Sequence, residues 1–116
     1  MSQKTSDASD SVLIARTPQD YADRNPIKPG KYAAKRIFAG EKAQITEIAF
    51  DAGVELPDHM AGTPIIVQVI SGEVQFTVGD ATTTLSTGGS IFVEANVLHA
   101  VYAAQQARIT VTFLSS

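Results

Sequence analysis

From Lys31 onward the chain consists of short stretches rich in Ile, Val, Thr and Phe, set between glycine, aspartate and serine. Branched and aromatic residues bounded by turn residues predict β-strands. The pattern places strands near residues 32–38, 43–50, 65–71, 73–78, 81–85, 90–93, 98–103 and 107–114. Turns fall at Ala39-Gly40-Glu41, Asp51-Ala52-Gly53, Ser71-Gly72, Gly79-Asp80 and Gly88-Gly89. Glu73 to Val78 alternates cleanly, with Val74, Phe76 and Val78 on one face and Glu73, Gln75 and Thr77 on the other. Followed by Gly79-Asp80 and Ala81 to Leu85, it predicts a hairpin whose turn type the Gly-Asp order leaves open. No segment after residue 24 keeps a 3.6-residue apolar period, and no internal repeat is visible. Strands without covering helices must close on themselves to bury their apolar faces, so the expected class is an all-β sandwich or barrel.

Upstream the pattern changes. Residues 1–10 are polar and low in bulk and predict a disordered leader, leaving 11–116 as one domain. Val12 to Ala15 reads as a short edge strand. Thr17-Pro18-Gln19-Asp20 reads as a helix start, with Thr17 as cap and Pro18 in the first position. Asn25-Pro26 ends that helix after about one turn, near Asp23. The region is therefore a short, irregular N-terminal arm.

Composition narrows the function classes. A chain of 116 residues suits one core, and 44% apolar with 18% charged residues is ordinary for a globular protein. Apolar runs such as Val12–Ala15 and Ile65–Val67 fall far short of the roughly 20 residues that a membrane helix needs. With no apolar stretch at the N-terminus to act as a secretory signal, a cytoplasmic location is the expectation. The absence of cysteine excludes disulfides and thiolate chemistry. The net charge of −3 is uneven: residues 1–42 carry +3, and residues 43–116, with Arg108 their only basic residue, carry −6. The basic residues are mixed with acids and have little aromatic company, which argues against nucleic acid. They predict a basic arm lying on the acidic body of its own or a partner subunit.

The chemistry centres on the only two histidines. Gly53-Val54-Glu55-Leu56-Pro57-Asp58-His59 leads toward Gly72, and Gly88 precedes His99 by eleven residues. These spacings resemble the two motifs of the cupin superfamily, G-x5-H-x-H-x3,4-E-x6-G and G-x5-P-x-G-x2-H-x3-N. Gly53, His59 and Gly72 match the first motif, and Gly88 and His99 match the second. Ala61 and Ile65 stand where the first motif has its second histidine and its glutamate; Glu94, Asn96 and Ala103 stand at the proline, glycine and asparagine positions. The resemblance covers about residues 43–114. It implies a double-stranded β-helix, the jelly-roll barrel, of the RmlC-like kind.

In such proteins three histidines and a glutamate hold a divalent metal inside the barrel. By strand parity His59, Ala61 and Ile65 would share the inner wall, so two ligand positions there are apolar. The expected pocket is formed by His59, His99, Ala61, Ile65, Val67 and Val101. If a divalent transition metal (Fe, Mn, Ni or Zn) is held, His59 and His99 are its ligands, with Glu47, Glu55 or Asp58 as candidate third ligand. Glu47 shares parity with Ile45 and Ala49 and by that pattern could face inward among apolar neighbours. Gln68 has the opposite parity from Ile65, and Tyr102 the opposite parity from His99. Asn96 suits a left-handed turn position, and Phe50, Phe76, Phe92 and Phe113 are expected in the core.

Three functional classes follow. The leading one is a small-molecule binding protein with a metal-free pocket bearing two polar points. The second is an enzyme: a metal-dependent dioxygenase- or isomerase-like cupin, or a metal-free epimerase-like one in which a histidine and a tyrosine move protons. The third is a structural role through a homodimer, which small cupins commonly form through sheet faces or an exchanged N-terminal strand.

Overall fold

The computed structural model describes residues 10–115. Of the expected leader, residues 1–9 lie outside the described residues. The elements in chain order are helix α1 (Pro18–Arg24) and strands β1 (Tyr32–Ala39), β2 (Ala43–Phe50), β3 (Val54–His59), β4 (Ile65–Ser71), β5 (Glu73–Val78), β6 (Ala81–Ser86), β7 (Ser90–Val93), β8 (His99–Ala103) and β9 (Ala107–Leu114). No helix among these residues is long and apolar enough to cross a membrane.

Two sheets face each other. One has the order β1-β2-β9-β4-β7 and the other β3-β8-β5-β6, with antiparallel pairing throughout. Strands β2 to β9 form the two four-stranded halves of a jelly roll, and β1 extends one edge. The predicted hairpin of β5 and β6 is present, pairing Val78 with Ala81. Gly79 has φ +59 and Asp80 does not have positive φ, the pattern of a type II′ turn.

Three expectations are corrected. A ninth strand, β3, occupies Val54–His59. Proline and two acids hide it in the sequence, but it is an edge strand paired only with β8, where a missing N–H is tolerated. Val12 to Ala15 forms no strand: it runs unpaired into α1, with Val12 and Leu13 exposed. Helix α1 extends through Arg24, and the Thr17 side chain makes no capping bond. Instead the Asp20 carboxylate accepts from both the backbone N–H and the guanidinium of Arg16.

Between the sheets lies a continuous core of Phe50, Ile65, Val67, Val69, Phe76, Val101 and Ile109 with their neighbours. Burying each such side chain contributes about 1.5–3 kcal/mol. The β4–β5 connection turns on Gly72, at φ +84, where an added Cβ would sit 2.6 Å from the Gln106 carbonyl oxygen. Only glycine fits both the dihedral and that approach.

The outer face of the five-stranded sheet carries two different surfaces. Phe38, Ile45, Thr112, Ile66 and Phe92 stand in register across its five strands. Phe92, expected in the core, is 51% exposed on this row because β7 turns its side chain away from the other sheet. The second surface seats the arm. Glu47 is fully buried there and paired with Arg108 at 3.1 Å. Asn25, at the end of α1, donates through Nδ2 to Glu47 Oε1 (2.8 Å) and to the Ala33 carbonyl (2.9 Å). Arg108 Nη1 also donates to the Asn25 carbonyl at 2.7 Å, satisfying a helix-end acceptor. Of the arm's basic residues, Lys35 on β1 binds the Arg24 carbonyl, so the charged partner of the buried acid comes from β9 and not from the arm.

Burial pushes the Glu47 carboxyl above its usual range, while Asn25 and Arg108 pull it down. Removing one partner of a buried ion pair strands the other charge. Arg108→Met is therefore expected to lower the unfolding free energy by about 3–5 kcal/mol, and adding Glu47→Leu to recover most of it. Chemical denaturation of the two single variants and the double variant checks this; a double variant as unstable as Arg108→Met alone would contradict it.

Candidate functional site

The site is built by a register shift. β3 and β8 pair Val54 with Ala103 and Leu56 with Val101, and then the register slips so that His59 faces His99. Three residue steps on β3 thus match two on β8, and one extra residue is accommodated around Pro57-Asp58 as a β-bulge. Val54 and Leu56 point inward, so unbroken alternation would send His59 outward. The bulge resets the parity and turns His59 inward. On β8, His99 shares the inner face with Val101 and Ala103 by ordinary alternation.

The two imidazoles therefore meet as a cross-strand pair, with ring centroids 4.1 Å apart and planes at 63°. The His99 ring also stacks on Phe76, at 5.6 Å and 10°. Each ring places Nδ1 3.0 Å from a backbone carbonyl two residues earlier: Pro57 for His59 and Val97 for His99. A carbonyl oxygen only accepts, so Nδ1 carries the hydrogen in both rings. In the neutral rings Nε2 is then the free acceptor. The loop before β8 is fixed by Asn96, which takes the expected left-handed conformation (φ +64) and donates its N–H to the Ala61 carbonyl at 2.7 Å. That bond ties the segment following His59 to the segment preceding His99.

Both rings border an open cavity of about 520 Å³ between the sheets. Its wall includes Ile48, Ala61, Ile65, Val111 and Phe113, with polar positions at Arg36, Gln44 and Thr46. Among the described residues, no carboxylate side chain lines it. His99 is only 3% exposed. Burial lowers its pKa below the ordinary 6.5, the nearby His59 adds to that, and the Val97 carbonyl and Asp58 oppose it.

The residues singled out by sequence are distributed as follows. His59, His99, Ala61 and Ile65 line the cavity together. Ala61 and Ile65 reach it from different elements, the loop after β3 and the start of β4 in the facing sheet, and not from one strand as parity suggested. Val67 and Val101 are sealed in the core beneath and do not line the cavity. Glu47 is a correction: it points out of the opposite face of β2, into the Arg108–Asn25 pocket, because Gln44, Thr46 and Ile48 take the inner phase. Glu55 and Asp58 are exposed on β3 and do not line the cavity. Among the described residues no three His, Cys, Asp or Glu side chains come together as a metal-ligand group. Tyr102 lies on the outer face, 41% exposed, across from Glu55 and Gln75. It cannot partner the histidines in moving protons on a bound molecule.

Sequence reasoning missed Arg36, Gln44 and Thr46. Their signal was present: Gln44, Thr46, Ile48 and Phe50 share one parity, polar at the mouth and apolar toward the core. The competing phase of Ile45, Glu47 and Ala49 carries equal apolar weight, so alternation alone could not choose between them.

The sequence profile of the cupin domain family matches residues 47–114, more than half of the chain. No curated protein sequence matches. Among solved structures, a conserved protein of unknown function from Streptococcus pyogenes is similar over 100% of this chain and 96% of its own, at 21% identity and a TM-score of 0.74. An RmlC-like cupin from Desulfovibrio desulfuricans is similar over 97% of both chains, at 22% identity and 0.67. A third, an RmlC-like cupin from Shewanella frigidimarina, covers 75% of this chain and 78% of its own, at 23% identity and 0.69. These likenesses show the fold.

The depressed His99 pKa has a sign that can be checked. Between its folded value and 6.5 the unfolded chain binds a proton that the folded protein refuses, so stability rises with pH in that window. The contribution is complete above the unfolded value and is lost as pH falls below about 6.5 toward the folded value. Denaturation curves between pH 8 and pH 5 are expected to show a steeper loss of stability in the native protein than in His99→Gln. Parallel pH profiles would contradict it.

Proposed function

The chain belongs to the cupin domain family, and on that premise we propose that it binds a small organic molecule, without a metal, in the cavity beside His59 and His99. The observation that carries this reading is the pair of backbone-anchored imidazoles bordering a 520 Å³ cavity whose wall is mainly apolar and, among the described residues, free of carboxylates. That size falls within the range of small-molecule sites, which combine an apolar wall with a few fixed polar points. At neutral pH the depressed His99 pKa keeps that ring uncharged, so its Nε2 accepts a hydrogen bond from a ligand hydroxyl or N–H. Gln44 and Thr46 offer polar contacts from the facing sheet. The apolar surface of Ile65, Val111 and Phe113 supplies the hydrophobic contribution to binding.

The metal-dependent reading has one observation in its favour. Histidines that hold metals usually donate Nδ1–H to a carbonyl or carboxylate, as both rings do here. The donor set nonetheless does not fit a retained divalent ion. Among the described residues, two imidazoles face the cavity without a carboxylate, and Glu47 is already committed to Arg108 and Asn25. Stable transition-metal sites ordinarily take three or more protein ligands. No catalytic step is assigned through a metal.

Fragment binding followed by two-dimensional NMR on tag-free protein, together with elemental analysis, tests the proposal. The expected result is fragment-induced shifts at Ile65, Val111 and Phe113, with metal well below one ion per chain. For hydrogen-bonding fragments, His99→Gln is expected to weaken binding by about three- to tenfold, the worth of one hydrogen bond. Stoichiometric metal in the native protein that disappears in both His59→Ala and His99→Ala would overturn it.

A further inference from the structure

Among the described residues, Arg36 is the only formally charged side chain on the cavity wall. It stands on β1, opposite Thr46 of β2, which also lines the cavity. Among the described residues its guanidinium makes no hydrogen bond or ion pair. Arg16 is paired with Asp20 and Arg108 with Glu47, while Arg24 also leaves Nε and Nη2 without a partner but does not line this cavity. Residues 43–116 carry a net −6, yet among the described residues none of their acidic side chains lines the cavity. Among the described residues, the cavity wall therefore offers one positive side chain and no carboxylate, beside an apolar surface of Ile48, Ile65, Val111 and Phe113.

We propose that the cavity takes a small organic monocarboxylate, with Arg36 holding its carboxylate and the two imidazoles facing its other end. This rests on the pocket reading above and names its ligand class. A guanidinium presents a planar fork of donors that matches a carboxylate through two parallel hydrogen bonds. One cation with no further charged donor suits a single negative charge better than a phosphate dianion, which calls for more donors. The imidazoles cannot take the carboxylate while neutral: a lone pair on Nε2 repels it. The ligand is thereby oriented. Its anionic head lies at β1 on the five-stranded sheet, its apolar body lies along Ile65 and Phe113, and a hydroxyl or N–H at the far end meets the histidines on the four-stranded sheet.

The test uses the full-length, tag-free protein at pH 8, above the ordinary histidine pKa of 6.5. Three fragment pools share the same hydrocarbon bodies and differ only in the head group: carboxylate, carboxamide or amine. NMR titration reads binding at Ile65, Val111 and Phe113. Carboxylates are expected to bind about tenfold or more tightly than the matching carboxamides, the range of a charge-assisted hydrogen bond. Arg36→Gln is expected to erase that advantage and Arg36→Lys to keep part of it. Because Arg36 is exposed on an edge strand, an unchanged melting temperature confirms that both variants are folded. Carboxamides binding as well as carboxylates, with Arg36→Gln without effect, overturns the carboxylate assignment and leaves the pocket reading standing. A preference for amines does the same. Binding at the cavity by none of the pools overturns both.

Discussion

One extra residue in β3 governs the functional end of this molecule. A strand alternates its side chains with period two, so each slip of one residue exchanges inside for outside. Leu56 points into the core, and three steps later His59 would point to solvent if the ladder with β8 ran unbroken. The bulge at Pro57-Asp58 restores His59 to the interior and sets it opposite His99. Proline suits this place: as an edge-strand residue at an irregular step, it gives up no ladder hydrogen bond that the sheet depends on. The pairing of the rings, their anchoring to Pro57 and Val97 and the shape of the cavity mouth all follow from that step.

The two faces of the five-stranded sheet solve opposite problems. Toward the other sheet, β2, β9 and β4 present aliphatic and aromatic side chains that exclude water. Away from it, β2 and β9 bury Glu47 and Arg108, a pair whose desolvation cost is offset only if every remaining donor and acceptor is used. Asn25 and the carbonyl at the end of α1 complete that network. The N-terminal arm is therefore part of the fold's polar accounting and not an appendage: without Asn25, Glu47 Oε1 would lose its partner. The result is a central strand, β9, that is buried on both faces from Ala107 to Val111.

At the site itself, the residues that replace the family's ligands set its chemistry. Ala61 and Ile65 occupy the cavity wall where a histidine and a glutamate stand in the motif, which makes that wall drier and less able to balance a cation. The histidines keep the anchoring bonds of ligands but face an apolar surface and, across the cavity, Arg36.

The sequence by itself determined the strands from Tyr32 onward other than β3, the β5–β6 hairpin, the left-handed turn at Asn96 and, through the spacing of Gly53, His59, Gly72, Gly88 and His99, the jelly roll. These are local properties: branched residues favour extended chain, and glycine or asparagine marks the turns. What only the tertiary structure decided was facing. β2 offers two apolar phases of nearly equal weight, and in the fold Glu47 faces Asn25 and Arg108 on the outer side while Gln44 and Thr46 reach the cavity. β3 escaped detection because its proline and acids belong to an edge, and being an edge is a relation to other strands. Parity counted through His59, Ala61 and Ile65 reached the right wall by a wrong route, since a bulge, a loop and a second sheet lie between them. Phe92 and Val12 to Ala15 failed for the same reason. Hydrophobicity states that a side chain prefers burial; the available partner surface decides whether it is buried.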